Sequence, residues 1–465
     1  MVPEQLRGKR IGILGFGANH RALLGWLLTH GAEDVTVYDE DPGVAERVRS
    51  TGLRASVVAK PGALDQIESD VVFRSPGIPL HRLDALREQG IRITSQTELF
   101  LQVCPAATIG VTGTKGKSTV SSLIAELLKV NCQLSKVKCQ VYLAGNIGKD
   151  PFEFLDELTK DDTVVLELSS FQLDGIQQSP RIAVVLDVSV DHLDHHASLT
   201  AYHDAKSSIV RSQGPGDVAV LNLSSQVALG YAALAGGTVV YYASGKSVDA
   251  GCYLIDGTYW WRDPALEIPE EVATAEELGI EAPHNQENAA AAMAVAKLLG
   301  IPNETIVVAI RSFSGLPHRL ELVAEIGHVR WINDSYATVP DATMAAFASF
   351  GEAPLLLIVG GYDKGVPWQA LGAAIASHAP KLLLTIGQTG PAIAQAAVAA
   401  GYPEERIVAA ETLTQAVAVA AQRATAGDVV LLSPASASFD QFDNVTHRGE
   451  VFRSLVAKLR PGLTP

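Results

Sequence analysis

The sequence predicts an α/β protein of several domains built on mostly parallel, doubly wound sheets. Three observations carry that reading. At 465 residues the chain is too long for one core, so two to four domains are expected. Short apolar runs suited to buried parallel strands alternate with helical patterns, many of them alanine-rich. Turns rich in glycine and hydroxyl residues follow those runs, as at the carboxyl ends of parallel strands.

Bulk composition narrows the function classes. Hydrophobic residues make up 47% of the chain, which fits a globular protein and not a disordered one. The formal charge of −15 (36 basic against 51 acidic residues) argues against nucleic-acid binding driven by phosphate neutralisation. No apolar run approaches a membrane span, and the start Met-Val-Pro-Glu-Gln-Leu-Arg lacks the apolar stretch of a signal peptide. Cys104, Cys132, Cys139 and Cys252 have neither metal-site spacing nor disulfide density, so reduced thiols in a cytoplasm are expected.

In chain order, Lys9 to Gly15 reads as a first strand, the turn Gly15-Phe-Gly-Ala-Asn-His20 follows, and a periodic helix runs through Leu28. Val35 to Asp39 is a second strand ending on a carboxylate, which makes this the opening of a nucleotide-binding βαβ unit. His20 replaces the third glycine of the dinucleotide motif, so a nucleotide other than NAD, or a structural turn, fits better. Val71 to Arg74 is a further strand. It runs into Ser75-Pro-Gly, either a ligand-facing turn or a plain one.

A second domain opens near Cys104-Pro105. Ala106 to Val111 reads as a buried strand and Val120 to Val130 as a helix. Between them lies Gly113, Thr114, Lys115, Gly116, Lys117, Ser118 and Thr119. Such a loop aims backbone N–H groups at a phosphate, with Lys117 against the β- and γ-phosphates and a hydroxyl reaching Mg2+. Val111 stands where the strict motif has its first glycine, but the order strand, loop, Lys-Ser, helix holds. We read an ATP site.

Leu143-Ala-Gly-Asn-Ile-Gly148 is a second small-residue loop. Thr163 to Leu168 suits a central strand and carries Glu167 inside an apolar run, costly unless the carboxylate is paired or metal-bound. Ile182 to Val188 repeats the strand pattern before Asp191-His-Leu-Asp-His-His196, either a ligand site or a solvated loop. Lys206 follows on a helix over 201–210. Val218 to Asn222 is another strand. Thr238 to Ser244 and Cys252 to Trp261 read as paired edge strands with a turn at Asp256-Gly257. Asn285 and Asn288 share one face of the first turn of a long alanine-rich helix, either facing ATP or capping the helix.

The third domain runs from about 315 to the end, with strands at Val329 to Asp334, Leu355 to Gly361, Lys381 to Gly387, Ile407 to Ala409 and Val429 to Ser433. Polar clusters at 333–338, 360–364 and 433–441, then His447-Arg448, outline a site for a small anionic substrate.

Taken together, these motifs resemble the Mur ligase family across essentially the whole chain. The carrying motifs are T-G-T-K-G-K-S-T (112–119), G-N-I-G (145–148), L-E-L-S-S-F-Q-L (166–173), D-H-L-D (191–194) and H-N-x-x-N-A (284–289). G-L-P-H-R (315–319), N-D-S-x-A-T (333–338) and G-G-x-D-K (360–364) add to them. S-P-A-S-A-S-F-D-Q-F (433–442) with H-R-G (447–449) is most similar to the members that add D-glutamate to UDP-N-acetylmuramoyl-L-alanine.

The resemblance implies a Rossmann-like UDP-binding domain (1–103), a central P-loop ATPase domain (104–314) and a Rossmann-like C-terminal domain for the amino acid (315–465). It implies a cytoplasmic, monomeric, ATP-dependent, ADP-forming ligase of peptidoglycan synthesis, working through an acyl phosphate and a tetrahedral intermediate. Lys117, Glu167, His192, Lys206 and His318 would be catalytic. Ser118 and Glu167 would hold one Mg2+, His192 and a carbamylated Lys206 the other. Asn285 and Asn288 would lie by adenine, with Arg319 and Asp334 gripping ATP. Gly15, Ala18, Asn19 and Asp39 would lie near uridine, with Ser75, Asn146 and Gln172 along the muramoyl-alanine path. Thr338, Lys364, Ser438 and Phe439 would bind glutamate.

The chain departs from the family pattern in the N-terminal turn, with Asn19-His20 and Glu40-Asp41, and at three residues near the amino-acid site. Tyr336 stands where lysine is usual, Ser436 where cysteine is usual, and Val445 where phenylalanine is expected. These departures leave addition of L-glutamate as an alternative. A folylpolyglutamate-type ligase would lack the first domain, and an NAD-dependent dehydrogenase would leave the ATP loop unexplained.

Overall fold

The computed structural model describes residues 4–136, 138–189, 196–280 and 283–459. It divides into two compact units, Met1–Phe313 and Ser314–Pro465.

The first unit carries two sheets. Arg10–Leu14 (β1), Asp34–Asp39 (β2), Ser56–Ala59 (β3), Val71–Arg74 (β4) and Arg92–Ser95 (β5) form an all-parallel sheet in the order β3-β2-β1-β4-β5. The second sheet holds Ala107–Thr112 (β6), Val141–Gly145 (β7), Thr163–Glu167 (β8), Ile182–Val185 (β9), Val218–Asn222 (β10) and Thr238–Ser244 (β11). Gly251–Ile255 (β12), Thr258–Arg262 (β13) and Glu270–Thr274 (β14) complete it, in the order β14-β13-β12-β11-β10-β9-β6-β8-β7. Pairing is parallel as far as β12 and antiparallel across β12, β13 and β14.

Most expected elements form, because β6, β8, β9 and β10 are buried nearly throughout, as their apolar runs demand. Three expectations are corrected. β11 is an interior strand between β10 and β12, and the edge is β14. Leu143 to Gly145 belongs to strand β7 and not to a loop. Cys132 and Cys139 are joined in a disulfide, their Cα atoms 6.0 Å apart, instead of standing as reduced thiols. Cys104 and Cys252 are free thiols, as expected.

The alanine-rich helix Pro283–Leu298 explains its own composition. Every residue from Ala289 to Ala296 is at most 2% exposed. A helix apolar all round is a buried one, and small side chains let it pack closely on its neighbours. Its burial fixes where Asn288 sits.

Both sheets share a hydrophobic cluster that includes Trp26, Phe100, Phe152 and Phe154, which makes the unit one body. A buried arginine bolts the seam. Arg74 ends β4, is 1% exposed, and donates to Ile78 O (2.7 Å), Phe171 O (3.0 Å) and Asp174 O (2.9 Å). Burial lowers its pKa, while Asp174 works against that fall.

The second unit is one sheet. It comprises Glu321–Ile326 (β15), Val329–Asn333 (β16), Leu355–Gly360 (β17), Leu382–Ile386 (β18), Ile407–Glu411 (β19) and Val429–Leu432 (β20). The order is β15-β16-β20-β17-β18-β19, parallel except for the β15–β16 hairpin. Sequence reading missed β15. A register shift between Leu322 and Ala324 breaks the two-residue alternation that would have marked it. No helix among the described residues is long and apolar enough to cross a membrane.

Replacing Arg74 by Ala strands three carbonyls at the seam. Chemical denaturation should show a loss of about 3 kcal/mol or more, with Arg74→Lys recovering only part because an ammonium lacks the planar fork. A loss under about 0.5 kcal/mol, the range of neutral surface changes, would contradict this role.

Candidate active site

β6 lies between β9 and β8, so the chain departs to opposite sides and a crevice opens at its carboxyl end. The loop from Gly113 to Gly116 lies there and leads into the helix Lys117–Ser135, three residues earlier than the apolar pattern marks. Gly116 is the N-cap with φ 83°, and Gly113 has φ 149°. A Cβ on Gly113 would stand 2.6 Å from Leu186 Cβ, so only glycine fits. Thr114 is tied down: its N–H donates to Asp187 O (2.7 Å), and its hydroxyl accepts from Ser189 N (2.9 Å). The helix N-terminus has no side-chain cap. Its first N–H groups and dipole suit an anion.

Two lysines converge on this loop. Lys117 Nζ donates to Gly113 O (3.1 Å) and Thr114 O (2.9 Å). Lys206, on the helix Leu199–Arg211 and 2% exposed, donates to the same Gly113 O at 2.8 Å. Tyr202, one turn earlier, puts its ring 4.8 Å from Lys206 Nζ and its hydroxyl 3.0 Å from Thr114 Oγ1. Sequence reading missed Tyr202. Its spacing of four from Lys206, on one helix face, was the available signal.

The acidic partner stands one strand away. Glu167 ends β8, opposite Val111 of β6, and is 2% exposed. Its Oε1 accepts from Asn146 Nδ2 (3.3 Å), while its Oε2 is buried with no hydrogen-bond partner among the described residues. An acceptor-only oxygen buried without a donor fits a divalent cation. Ser118, also buried, sits at the start of the loop's helix. Among the described residues no three His, Cys, Asp or Glu side chains form a metal-ligating group. His192, with Asp191, Asp194 and His195, lies outside the described residues. His196 is buried and 3.0 Å from Ser170 Oγ. Asn288 closes the other side: a Cβ on Gly116 would stand 2.5 Å from its Oδ1, and its Nδ2 is 3.5 Å from Asn285 Oδ1.

The turn after β1 forms a second locus. Asp39 is fully engaged, Oδ2 accepting from Phe16 N (2.8 Å) and Oδ1 from Asp41 N (2.9 Å). Ala18 opens the helix Ala18–Thr29. His20 is buried beneath the turn, its Nδ1 2.6 Å from Gly15 O, and burial lowers its pKa to about 4. Ser75 Cβ would lie 3.0 Å from a Cβ on Gly15, so these two predicted residues are neighbours. Asn19, Gln96, Asp150 and Gln172 line a small pocket at the seam of the two sheets. Gln96 Nε2 reaches Asn19 O (2.7 Å) and Asp150 (2.9 Å). Gln172 Oε1 accepts from Ser169 N (3.0 Å), closing a helix capping box.

In the second unit a buried arginine gathers the loops. Arg448 is fully buried and donates to Ser335 O (2.7 Å), Ser335 Oγ (3.0 Å), Ser436 O (3.0 Å) and Ala437 O (3.1 Å), and burial lowers its pKa to about 10. The sequence offered it in H-R-G, yet as part of a cluster and not as the clamp it is. Tyr362 N donates to Ala437 O (2.9 Å), bringing the loop of Lys364 beside that of Ser438. Ser438 is buried, its Oγ without a hydrogen-bond partner among the described residues, while Lys364 and Phe439 are exposed. Thr338 follows β16, half-buried.

His318 and Asp334 are held internally. His318 is 3% exposed, its Nδ1 2.8 Å from Asn333 Nδ2 and its Nε2 3.4 Å from Glu450 Oε1. Asp334 accepts from Ser433 Oγ (2.8 Å) and Leu320 N (3.2 Å). Burial pushes its carboxyl up to about 7. Arg319 stays exposed.

Comparison with known proteins agrees with this geometry. The family model described as Mur ligase middle domain matches residues 111–296, and that described as Mur ligase, glutamate ligase domain matches 318–436. The chain is 38% identical to the UDP-N-acetylmuramoylalanine–D-glutamate ligase of Acetivibrio thermocellus, covering 97% of both chains. It is 37% identical to the enzyme of the same name from Symbiobacterium thermophilum, covering 97% of this chain and 98% of that one. Among solved structures it resembles UDP-N-acetylmuramate-alanine ligase MurC from Thermotoga maritima, with a TM-score of 0.57, 18% identity, and coverage of 97% of this chain and 100% of that one. It also resembles MurF ligase from Thermotoga maritima in complex with ADP, with a TM-score of 0.55, 16% identity, and coverage of 99% and 98%. At those identities the two structures speak for the fold. Matched along its full length by relatives above 30% identity, the chain belongs to the Mur ligase family of ATP-dependent ligases.

Proposed function

We propose that this protein joins D-glutamate to the terminal carboxylate of UDP-N-acetylmuramoyl-L-alanine, with ATP converted to ADP and phosphate, in peptidoglycan precursor synthesis. The observation that carries the reading is the convergence at the end of β6. There the uncapped Gly113–Gly116 loop, Lys117, Lys206 and the unpartnered Glu167 oxygen lie together. Its names follow the relatives that match the chain from end to end.

In this reading the acceptor carboxylate oxygen bonds to the γ-phosphorus as the bond to the ADP oxygen breaks. The glutamate nitrogen then attacks the acyl carbon, and phosphate leaves with the carboxylate oxygen it had captured. Lys117 and the loop N–H groups hold the β- and γ-phosphates. Asn285 and Asn288 border the base. Bound Mg2+ supplies charge neutralisation for the phosphoryl oxygens. Ser118 and Glu167 would hold one ion, and His192 with a Lys206 carbamate the other. A free Lys206 ammonium would repel Mg2+, whereas a carbamate would supply oxygen ligands.

His318 and Asp334, buried as they are, act by shaping the segment that presents Arg319. Ser438, Lys364, Thr338 and Phe439 form the amino-acid pocket, and the Gly15–His20 turn with Ser75 takes the uridine end. The three-domain division of labour, the cytoplasmic setting and a monomeric enzyme belong to the same proposal.

Phosphate release with UDP-N-acetylmuramoyl-L-alanine, ATP and Mg2+ should require D-glutamate, with D-aspartate, diamino acids and L-glutamate inactive. Release with L-glutamate alone would keep the chemistry and overturn the stereochemistry.

Asp334 gives a pH prediction. Its folded pKa of about 7 lies above the ordinary carboxylate value of about 4. Its contribution to stability is therefore complete below about pH 4 and lost as pH rises to about 7. Asp334→Asn should gain stability relative to the unaltered protein across that window in thermal melts. Parallel pH profiles would refute the burial argument.

A further inference from the structure

Two loops of the first unit face the assigned substrate, and a buried amide ties them together. Gln96 is 6% exposed and opens the helix Gln96–Val103. Its Nε2 donates to Asn19 O (2.7 Å) and to both oxygens of the Asp150 carboxylate (2.9 Å each). Asn19 lies in the first turn of the helix Ala18–Thr29, directly after the glycine turn of β1. Asp150 ends the segment 146–150 that follows β7.

The other end of that segment holds Glu167. Asn146 N donates to Glu167 O (2.9 Å), and Asn146 Nδ2 donates to Glu167 Oε1 (3.3 Å). Gly145, with φ 95°, permits the approach, since a Cβ there would collide with Glu167 O. Gln96 is itself held firmly. Ser95 Oγ caps its helix by accepting from Glu98 N (3.1 Å), and Leu99 and Phe100 are buried in the core that both sheets share. The Phe100 ring meets Phe152 edge-on, centroids 6.1 Å apart, and Phe152 N donates to Asp150 Oδ1 (2.9 Å). Burial disfavours the Asp150 charge, and the Gln96 donor offsets part of that cost.

We propose that Gln96 is a positioning residue for the UDP-linked substrate. It fixes the separation between the turn that takes uridine and the Asn146 loop along which the muramoyl-alanine end passes. The inference rests on the substrate assignment in the preceding section. A ligand spanning two anchored loops gains from their fixed spacing, because its second contact requires no further ordering of the protein. A ligand touching one loop gains nothing from it. Asn19, Gln96, Asp150 and Gln172 border one pocket, so the clasp lies beside that path.

The test is calorimetric titration of the full chain with UDP-N-acetylmuramoyl-L-alanine and, separately, with UDP alone. Gln96→Met keeps the length of the side chain and removes both donors. It should weaken binding of the full substrate about tenfold, the order of one lost hydrogen bond, and leave UDP affinity unchanged. In steady state the KM for UDP-N-acetylmuramoyl-L-alanine should rise, while those for ATP and D-glutamate stay as they were. Asp150→Ala opens the clasp at its other end and should show the same selectivity. Combined, the two changes should weaken binding by less than the product of their separate effects, since both break one link. Thermal melts confirm that each variant is folded.

Equal weakening toward UDP and the full substrate, unchanged affinity for the full substrate in either variant, or independent effects in the double variant would each overturn the proposal. With turnover of the unaltered protein intact, those results would leave the assigned reaction standing. An unaltered protein that binds no UDP-N-acetylmuramoyl-L-alanine would overturn both. One that binds it but does not turn over D-glutamate would refute only the assigned reaction.

Discussion

A carboxylate buried at the end of a parallel strand, with one oxygen lacking any donor, is the constraint on which the rest of the site depends. Glu167 Oε2 has no partner among the described residues. Leaving such an atom dry costs several kcal/mol unless a cation meets it. The surroundings are built for that meeting. β8 neighbours β6, and the loop leaving β6 carries Lys117 and the free N–H groups of a long helix. Lys206 arrives from a different helix on the same carbonyl oxygen as Lys117. Opposite charges held apart in a low-dielectric crevice interact strongly with whatever lies between them. A nucleotide triphosphate with its metal ions is a ligand of that description.

The second unit solves a different problem, which is to hold polar loops in register without a ligand. Arg448 does it from the inside, binding carbonyls from the segments after β16 and β20 with one planar fork. Asp334 and Asn333 fix the entry segment in the same way, at the expense of left-handed backbone on either side of Arg319. Buried charges that are fully hydrogen-bonded rigidify a site, and rigidity limits the entropy lost on binding.

The sequence made the parallel strands legible because burial on both faces forces long apolar runs, as in β8 and β10. The glycine loop after β6 was equally legible, since glycine at 113 and 116 answers local backbone needs. What stayed hidden depends on residues distant in the chain. Arg74 reads as any strand-end arginine until two of its three acceptors, about a hundred residues away, are in place. Asp39 reads as a residue near a ligand, and its hydrogen bonds to Phe16 N and Asp41 N show that it also holds the turn. β15 escaped because a bulge breaks its period, and the Cys132–Cys139 bond because seven residues of separation is not a framework pattern.

The account stands or falls on phosphoryl transfer to the acceptor carboxylate at the loop after β6. The direct measurement uses UDP-N-acetylmuramoyl-L-alanine labelled with 18O in both carboxylate oxygens, followed by mass analysis of the products of one turnover. An acyl phosphate requires one labelled oxygen to leave in inorganic phosphate and the other to remain in the new amide. Unlabelled phosphate, or label recovered in AMP, would contradict it.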